Sequence, residues 1–263
     1  MSDDSNLPPP PGPGQPPPPP PMAPPPGYVA YGSAGVMSRQ ASRIGGLTKW
    51  MVGLLVAQLV AAFALVAVQL TVVGSAKDYV DRLITQSDFE DKLVPYLLAA
   101  LLAAGVALAG SILMIVWTFR ISRNLESLGH PERKFTPGAT VAVNLLGGCT
   151  LGIINFFMWR ELWKASDPSM VNHPDWKQSE ASPLPAVQLG LTIGGAVLSG
   201  IAGAVNGVTM FRVGGKTSDI AEQLADHIGL IVIGSLLSLA ASVVFIVFAR
   251  QLAARHMSAT GEA

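Results

Sequence analysis

Arg160 and Glu161 stand side by side in the stretch FFMWRELWKA, between Trp159 and Trp163. A guanidinium next to a carboxylate at a lipid–water boundary is suited to acid–base work on a lipid headgroup. The simpler outcome is a local ion pair, or an anchor between a helix and a loop. Asn144 and Asn155 carry the polar amides of the preceding apolar run, where an amide can line a path or join two helices. Cys149 is the only cysteine, so no internal disulfide and no cysteine-based zinc site forms, and its apolar neighbours favour inert packing over nucleophilic use. His130, His173, His227 and His256 lie at loops or ends without metal-ligand spacing, and each reads as a surface or interfacial histidine. No HExxH, GxSxG or P-loop pattern occurs. The expectation is a protein that is not an enzyme, with no catalytic residue, metal or cofactor.

The elements that hold these residues are strongly apolar. Half of the 263 residues are hydrophobic and 13% are charged, against about 25% charged in a soluble domain. Mean hydropathy is +0.44. The predicted class is an all-α integral membrane bundle. Net charge is zero, so no global field attracts nucleic acid, which is not an expected partner.

Four uncharged runs have the length of a membrane helix: 50–74, 94–119, 184–211 and 228–249. A fifth, 139–159, contains Asn144, Asn155 and a Gly147-Gly148 break. The positive-inside rule separates the alternatives. With four spans, a cytoplasmic N-terminus and 139–159 not crossing, twelve Lys and Arg fall inside and five outside; if 139–159 crosses, the split is nine to eight. Four spans with both termini cytoplasmic is the stronger reading, and 139–159 then dips into the inner leaflet and leaves as an interfacial helix. Trp159 and Trp163, four apart, share a helix face suited to that interface, with Arg160 and Lys164 snorkelling beside them. RISRNLESLGHPERKFTPG (120–138) becomes a cytoplasmic loop. Its arginines hold the second span at the inner face.

Small residues mark helix contacts in lipid. Gly190 and Gly194 are four apart, as are Gly203 and Gly207, and 99–109 is rich in alanine and glycine. The spans 94–119 and 184–211 are therefore expected at the centre, packing within one chain or, alternatively, in a homo-oligomer. Gln58, Gln69, Gln188 and Asn206 are read as interhelical hydrogen-bonding groups rather than a substrate path. The acidic outer loops 76–93 and 216–229 each join two spans, a weak sign of two parallel hairpin units.

Fourteen of the 21 prolines fall within residues 8–26, including PPPPPP at 16–21. This segment cannot bury enough apolar surface to offset its ordering entropy. The expected organisation is a disordered proline-rich cytoplasmic tail at 1–44, a membrane domain at 45–255 and a disordered C-terminus at 256–263. No secretory signal peptide is read at the acidic start of the chain.

The order of features in WTFRISRNLESLGHPERKFTPG and NLLGGCTLGIINFFMWRELWKASDP resembles the bacterial family called domain of unknown function 4328, common in actinobacteria. The matching positions are Trp117, Arg123, Asn124, Leu128, Gly129, Pro137, Gly138, Arg160, Glu161 and Trp163, and the resemblance covers roughly residues 45–255. Ala139 and Thr140 stand where the family tends to have tryptophan, and Gly147-Gly148 where it tends to have proline. The resemblance implies a multipass plasma-membrane protein, and no activity, cofactor or catalytic residue.

Three functions follow as expectations. The first is a membrane-anchored adaptor whose tail recruits a cytoplasmic or cell-envelope protein, since polyproline binds aromatic grooves at low ordering cost. The second is a passive transporter or small-molecule pore, its cavity lined by the dipping segment with Asn144, Asn155 and its glycines. The third is a membrane enzyme acting on lipid through Arg160 and Glu161. Membrane lipids are partners in all three.

Overall fold

The computed structural model describes residues 41–130, 132–205, 217–218, 221–222 and 228–262. Six α-helices of ten or more residues are formed among them: α1 (Gly45–Val80), α2 (Gln86–Ser127), α3 (Pro137–Leu146), α4 (Ile153–Ala165), α5 (Leu184–Val205) and α6 (Ile228–Thr260). No strand is present among the described residues. The proline-rich 1–40 segment lies outside them.

The long helices outrun the expected spans because polar residues at their ends find partners. α2 begins with a capping box: Asp88 N–H donates to Thr85 Oγ1 at 3.3 Å and Thr85 N–H to Asp88 Oδ2 at 3.0 Å. At its other end the arginine-rich 120–127, expected as loop, continues the helix to Ser127. Its Ile121, Ser122, Asn124 and Leu125 are buried, so tertiary packing extends the helix past the apolar run. The C-terminal residues, expected to be disordered, are ordered likewise: α6 runs to Thr260 and Glu262 bonds to the start of α1.

Three helices are long and apolar enough to cross a membrane, spanning 45–80, 86–127 and 232–260. Four were expected. Of the run 184–211, residues 184–205 form α5, and those beyond 205 lie outside the described residues. Large apolar side chains project outward along these helices, Leu101 at 71% exposure and Phe63 at 65%. A face of this kind suits lipid and not water.

α1 pairs with α2, α5 with α6, and α1 with α6. The bundle is thus two hairpins joined through α1 and α6, which are the inner helices. α2 and α5, expected at the centre, lie on the outside. Close approach of α5 and α6 depends on Gly195, where a Cβ would stand 3.0 Å from Ser238 Oγ and 3.1 Å from the Gly234 carbonyl. At Gly194 it would meet Leu237 at 3.5 Å, and at Gly190 nothing within 4 Å. Gly203 lies near the end of α5, and Gly207 and Asn206 lie outside the described residues.

The 139–159 run is a broken hairpin. Thr136 caps α3 and Pro137 takes its first position, where a missing N–H costs nothing. A 3-10 turn at Gly147–Thr150 follows, then Leu151 and Gly152 in the left-handed region (φ 50° and 81°), and α4 returns. Gly147 admits Asn155 so closely that a Cβ would stand 2.2 Å from its Oδ1. Ten and thirteen residues per arm are too few to cross a bilayer.

Most of the buried core lies at one end of the bundle, where α1 starts, α2 and α6 end, and α3 and α4 pack. Met51, Trp117, Ile121, Met158, Leu162, Phe248 and Leu252 belong to it. A smaller cluster of Val72, Val73, Ala76 and Phe89 closes the other end.

Candidate functional site

The larger core carries a buried polar network, built around Asn124. α2 turns this residue inward and its neighbour Arg123 outward to solvent. Asn124 Oδ1 accepts from Ser42 N–H at 2.8 Å and from Ser42 Oγ at 3.0 Å, while Nδ2 donates to the Ser42 carbonyl at 2.8 Å. One side chain thereby pairs both backbone groups of Ser42, as a neighbouring strand would. The Ser42 N–H fixes which end of the amide is oxygen, so Nδ2 is what faces His256 Nε2, 3.3 Å away. Nε2 must then accept. The ring proton sits on Nδ1 and points to Ser166 Oγ at 3.0 Å.

Ser166, His256 and Asn124 share the residue types of a nucleophile–base–orienter relay, with the proton on the wrong nitrogen. A base must accept from the serine hydroxyl. Here the imidazole donates to it, and Ser166, His256 and Asn124 are 0%, 0% and 2% exposed. The arrangement works as a latch joining α2, α6, the end of α4 and the residues before α1.

A second layer surrounds the latch. Arg255 pairs with Asp167 at 2.5 Å, and Ser179 Oγ donates to the same carboxylate oxygen. Burial pushes the Asp167 carboxyl up. Hydrogen bonds from Ser179 and Ser169, together with the Arg255 charge, outweigh that, so its pKa lies below the ordinary carboxylate value. The Arg255 guanidinium lies 4.9 Å from the centre of the Trp163 ring, which stacks on Phe248 and donates Nε1–H to the Glu180 carbonyl. These groups border a cavity of about 380 Å³ that Leu184 and Gln251 complete.

The helical hairpin is tied at its root. Glu161 accepts from the backbone N–H groups of Lys134 (3.2 Å) and Phe135 (2.9 Å), and Arg133 donates to the carbonyls of Ser122 and Phe135, each at 2.8 Å. The segment therefore re-emerges beside the point where it set out. Glu161 is an anchor between helix and loop, and Arg160 is exposed. Asn144 Nδ2 donates to Thr118 Oγ1 (2.9 Å) and to the Thr140 carbonyl (2.8 Å), tying α3 to α2. Trp117 donates to Thr48 Oγ1 at 2.9 Å and tilts against Trp159 at 6.2 Å. Pro137 starts α3, and Gly138 beside it is exposed.

Two histidines read as surface residues are buried. His256 is one. The other, His130, donates Nε2–H to the Ala165 carbonyl at 2.8 Å and packs on Trp176, with Nδ1 buried and unpartnered. Desolvation lowers its pKa, with the Arg133 charge adding to it against the opposing pull of the Ala165 bond. His173 is exposed, and His227 lies outside the described residues. His256 was legible: Phe248, Ala249, Leu252, Ala253 and His256 continue one helical face past the apolar run. Ser42, Ser166, Asp167 and Glu262 carry no such pattern. Among the described residues no group of three His, Cys, Asp or Glu side chains is placed to hold a metal.

Residues 81–254, more than half of the chain, match the family model described as Domain of unknown function (DUF4328). The chain belongs to this family. No curated protein and no solved structure matches it. The DUF4328 match includes Asn124, Ser166 and the whole hairpin, and stops short of Ser42, His256 and Glu262. The latch is thus where the family's own stretch grips the segments flanking it.

Proposed function

We propose that this DUF4328 protein is a multipass bacterial plasma-membrane scaffold that presents the proline-rich residues 1–40 to a protein partner. In this reading four helices span the bilayer, with 184–211 as the third. Both ends face the cytoplasm, and the α3–α4 hairpin enters and leaves the inner leaflet. The charge pattern supports that orientation, since Arg123, Lys134, Arg160 and Arg250 are all exposed at the core-bearing end.

The observation that carries the scaffold reading is the fixing of the tail's root. Ser42 is held by Asn124, and Ile44 and Gly45 by Glu262. A passive terminus needs no such restraint. A docking segment gains from it, because a fixed origin confines the tail to one region beside the membrane. In-cell crosslinking with affinity capture of the full-length protein and of a version lacking 1–36 tests it. A partner lost on truncation supports recruitment, and an identical catch from both makes the tail a spacer.

A passive transporter or pore is the second reading. Its support comes from a polar cavity between α1, α5 and α6 and no longer from Asn144, whose amide is occupied by Thr118 and Thr140. Lipid chemistry through Arg160 and Glu161 has less support, because backbone N–H groups take both Glu161 oxygens.

A further inference from the structure

A cavity of about 280 Å³, with Phe245 in its lining, lies where α1 and α5 both rest on α6. Five hydrogen-bonding side chains converge on it from three helices: Gln58 from α1, Gln188 and Thr192 from α5, Ser238 and Ser242 from α6. Polar groups facing hydrocarbon are costly, so such a convergence within apolar helices needs an occupant that answers it.

The occupant's chemistry follows from the lining. Ser238 and Ser242 spend their protons inside α6, on the carbonyls of Gly234 (3.0 Å) and Ser238 (2.9 Å), and keep oxygen lone pairs to offer. The Gln58 and Gln188 amides have no hydrogen-bond partner among the described residues; Gln188 supplies donors and an acceptor, while Gln58, whose amide oxygen lies beside Gly110 of α2, adds its N–H donors. Among the described residues no charged side chain lines the space. A charged ligand would lie there unpaired, at a penalty no neighbour offsets. The fitting group is neutral and both donates and accepts, as a hydroxyl or a primary amide does.

The route follows from the packing. α1 and α5 each pack on α6 and not extensively on each other, which leaves a lateral seam between Gln58 and Gln188. We infer that this cavity is a binding site for a neutral, hydroxyl- or amide-bearing head group, reached sideways from the bilayer by a lipid-soluble molecule.

The test uses full-length protein in nanodiscs with a long-chain alcohol carrying a diazirine. Crosslinks are mapped by mass spectrometry, with oleyl alcohol, its methyl ether and glycerol as competitors. Expected are saturable crosslinks at the cavity-lining residues, displaced by oleyl alcohol and poorly by the ether, which has no proton to donate. Gln188→Leu should reduce their yield by about fivefold, the worth of one net hydrogen bond. Thr192→Val keeps the volume and removes only a hydroxyl, so a drop there, with unchanged thermal stability, separates lost binding from misfolding. Displacement by glycerol would assign the same chemistry to a solute from water. Crosslinks spread evenly along the apolar helices, equal competition by alcohol and ether, or unchanged yields in both variants would overturn the site.

Discussion

Glu262 and Ile44 are 218 residues apart in sequence, and the Glu262 carboxylate accepts the Ile44 N–H at 2.8 Å and the Gly45 N–H at 2.7 Å. The end of the chain thus caps the first long helix. A helix N-terminus leaves its first N–H groups unpaired and carries partial positive charge, and α1 has no acidic residue of its own in its first turn. Glu262→Gln keeps the shape and removes the charge; Glu262→Ala removes both acceptors. The expected losses are about 1 and about 2 kcal/mol, read as lowered midpoints of thermal unfolding in detergent. Equal midpoints for wild type and the alanine variant would show that the cap contributes nothing.

The Asn124 clamp makes a sharper demand. Asn124→Ala leaves Ser42, which is exposed and can turn to water, and the buried His256 Nε2 without their partner, at an expected cost of about 1–3 kcal/mol. Asn124→Asp is no better, since a carboxylate cannot donate to the Ser42 carbonyl or to Nε2. The local readout is trypsin cleavage after Arg43, an exposed residue next to the clamped Ser42. Both variants should be cut there faster than wild type under conditions that leave the bundle intact. A change in global stability with no change at Arg43 would mean that the clamp does not hold the root of the tail.

These two relationships mark where sequence reading stops. The long helices and the break at Gly147-Gly148 were legible, because hydropathy, capping residues and glycine act locally. Asn124, Glu161 and Trp163 stood out through the family pattern, yet their partners did not. Asn124 joins Ser42, His256 and, through the imidazole, Ser166, four positions with no regular spacing that only the meeting of three helix ends brings together. The inner and outer helices were inverted for a similar reason. Small residues in α2 and α5 do not mark centrality: Gly195 serves one pairwise approach to α6, and Gly105 meets nothing within 4 Å.

His130 makes stability depend on pH. Its folded pKa lies below the ordinary 6.5, first through desolvation and then through the Arg133 charge. Between the folded value and 6.5 the unfolded chain binds more protons, so stability is full above 6.5 and falls as the pH drops below it. Protonation would also place a proton on the buried, unpartnered Nδ1. His130→Gln keeps an N–H for the Ala165 carbonyl and removes the titration. The decline in unfolding midpoint between about pH 7.5 and about pH 5.5 should be shallower in this variant. An identical slope would assign the acid sensitivity elsewhere.

The hairpin decides the topology, and cysteine labelling can read it. Glu161 ties the returning helix to residues 134 and 135, Asn172 N–H donates to the Leu128 carbonyl at 3.0 Å, and Lys177 pairs with Glu132 at 3.0 Å. Residues 166–182 therefore lie at the same end of the bundle as 128–135. Ser87 lies at the opposite end, at the start of α2. Both Ser87 and Ser169 are exposed, so each tolerates a cysteine. In a Cys149→Ala background, a membrane-impermeant maleimide added to intact cells should label Ser87→Cys and spare Ser169→Cys until the membrane is opened. Comparable labelling of the two in sealed cells would mean that the hairpin crosses the bilayer, and the bonds from Glu161 to 134 and 135 could not then exist in the membrane-embedded protein.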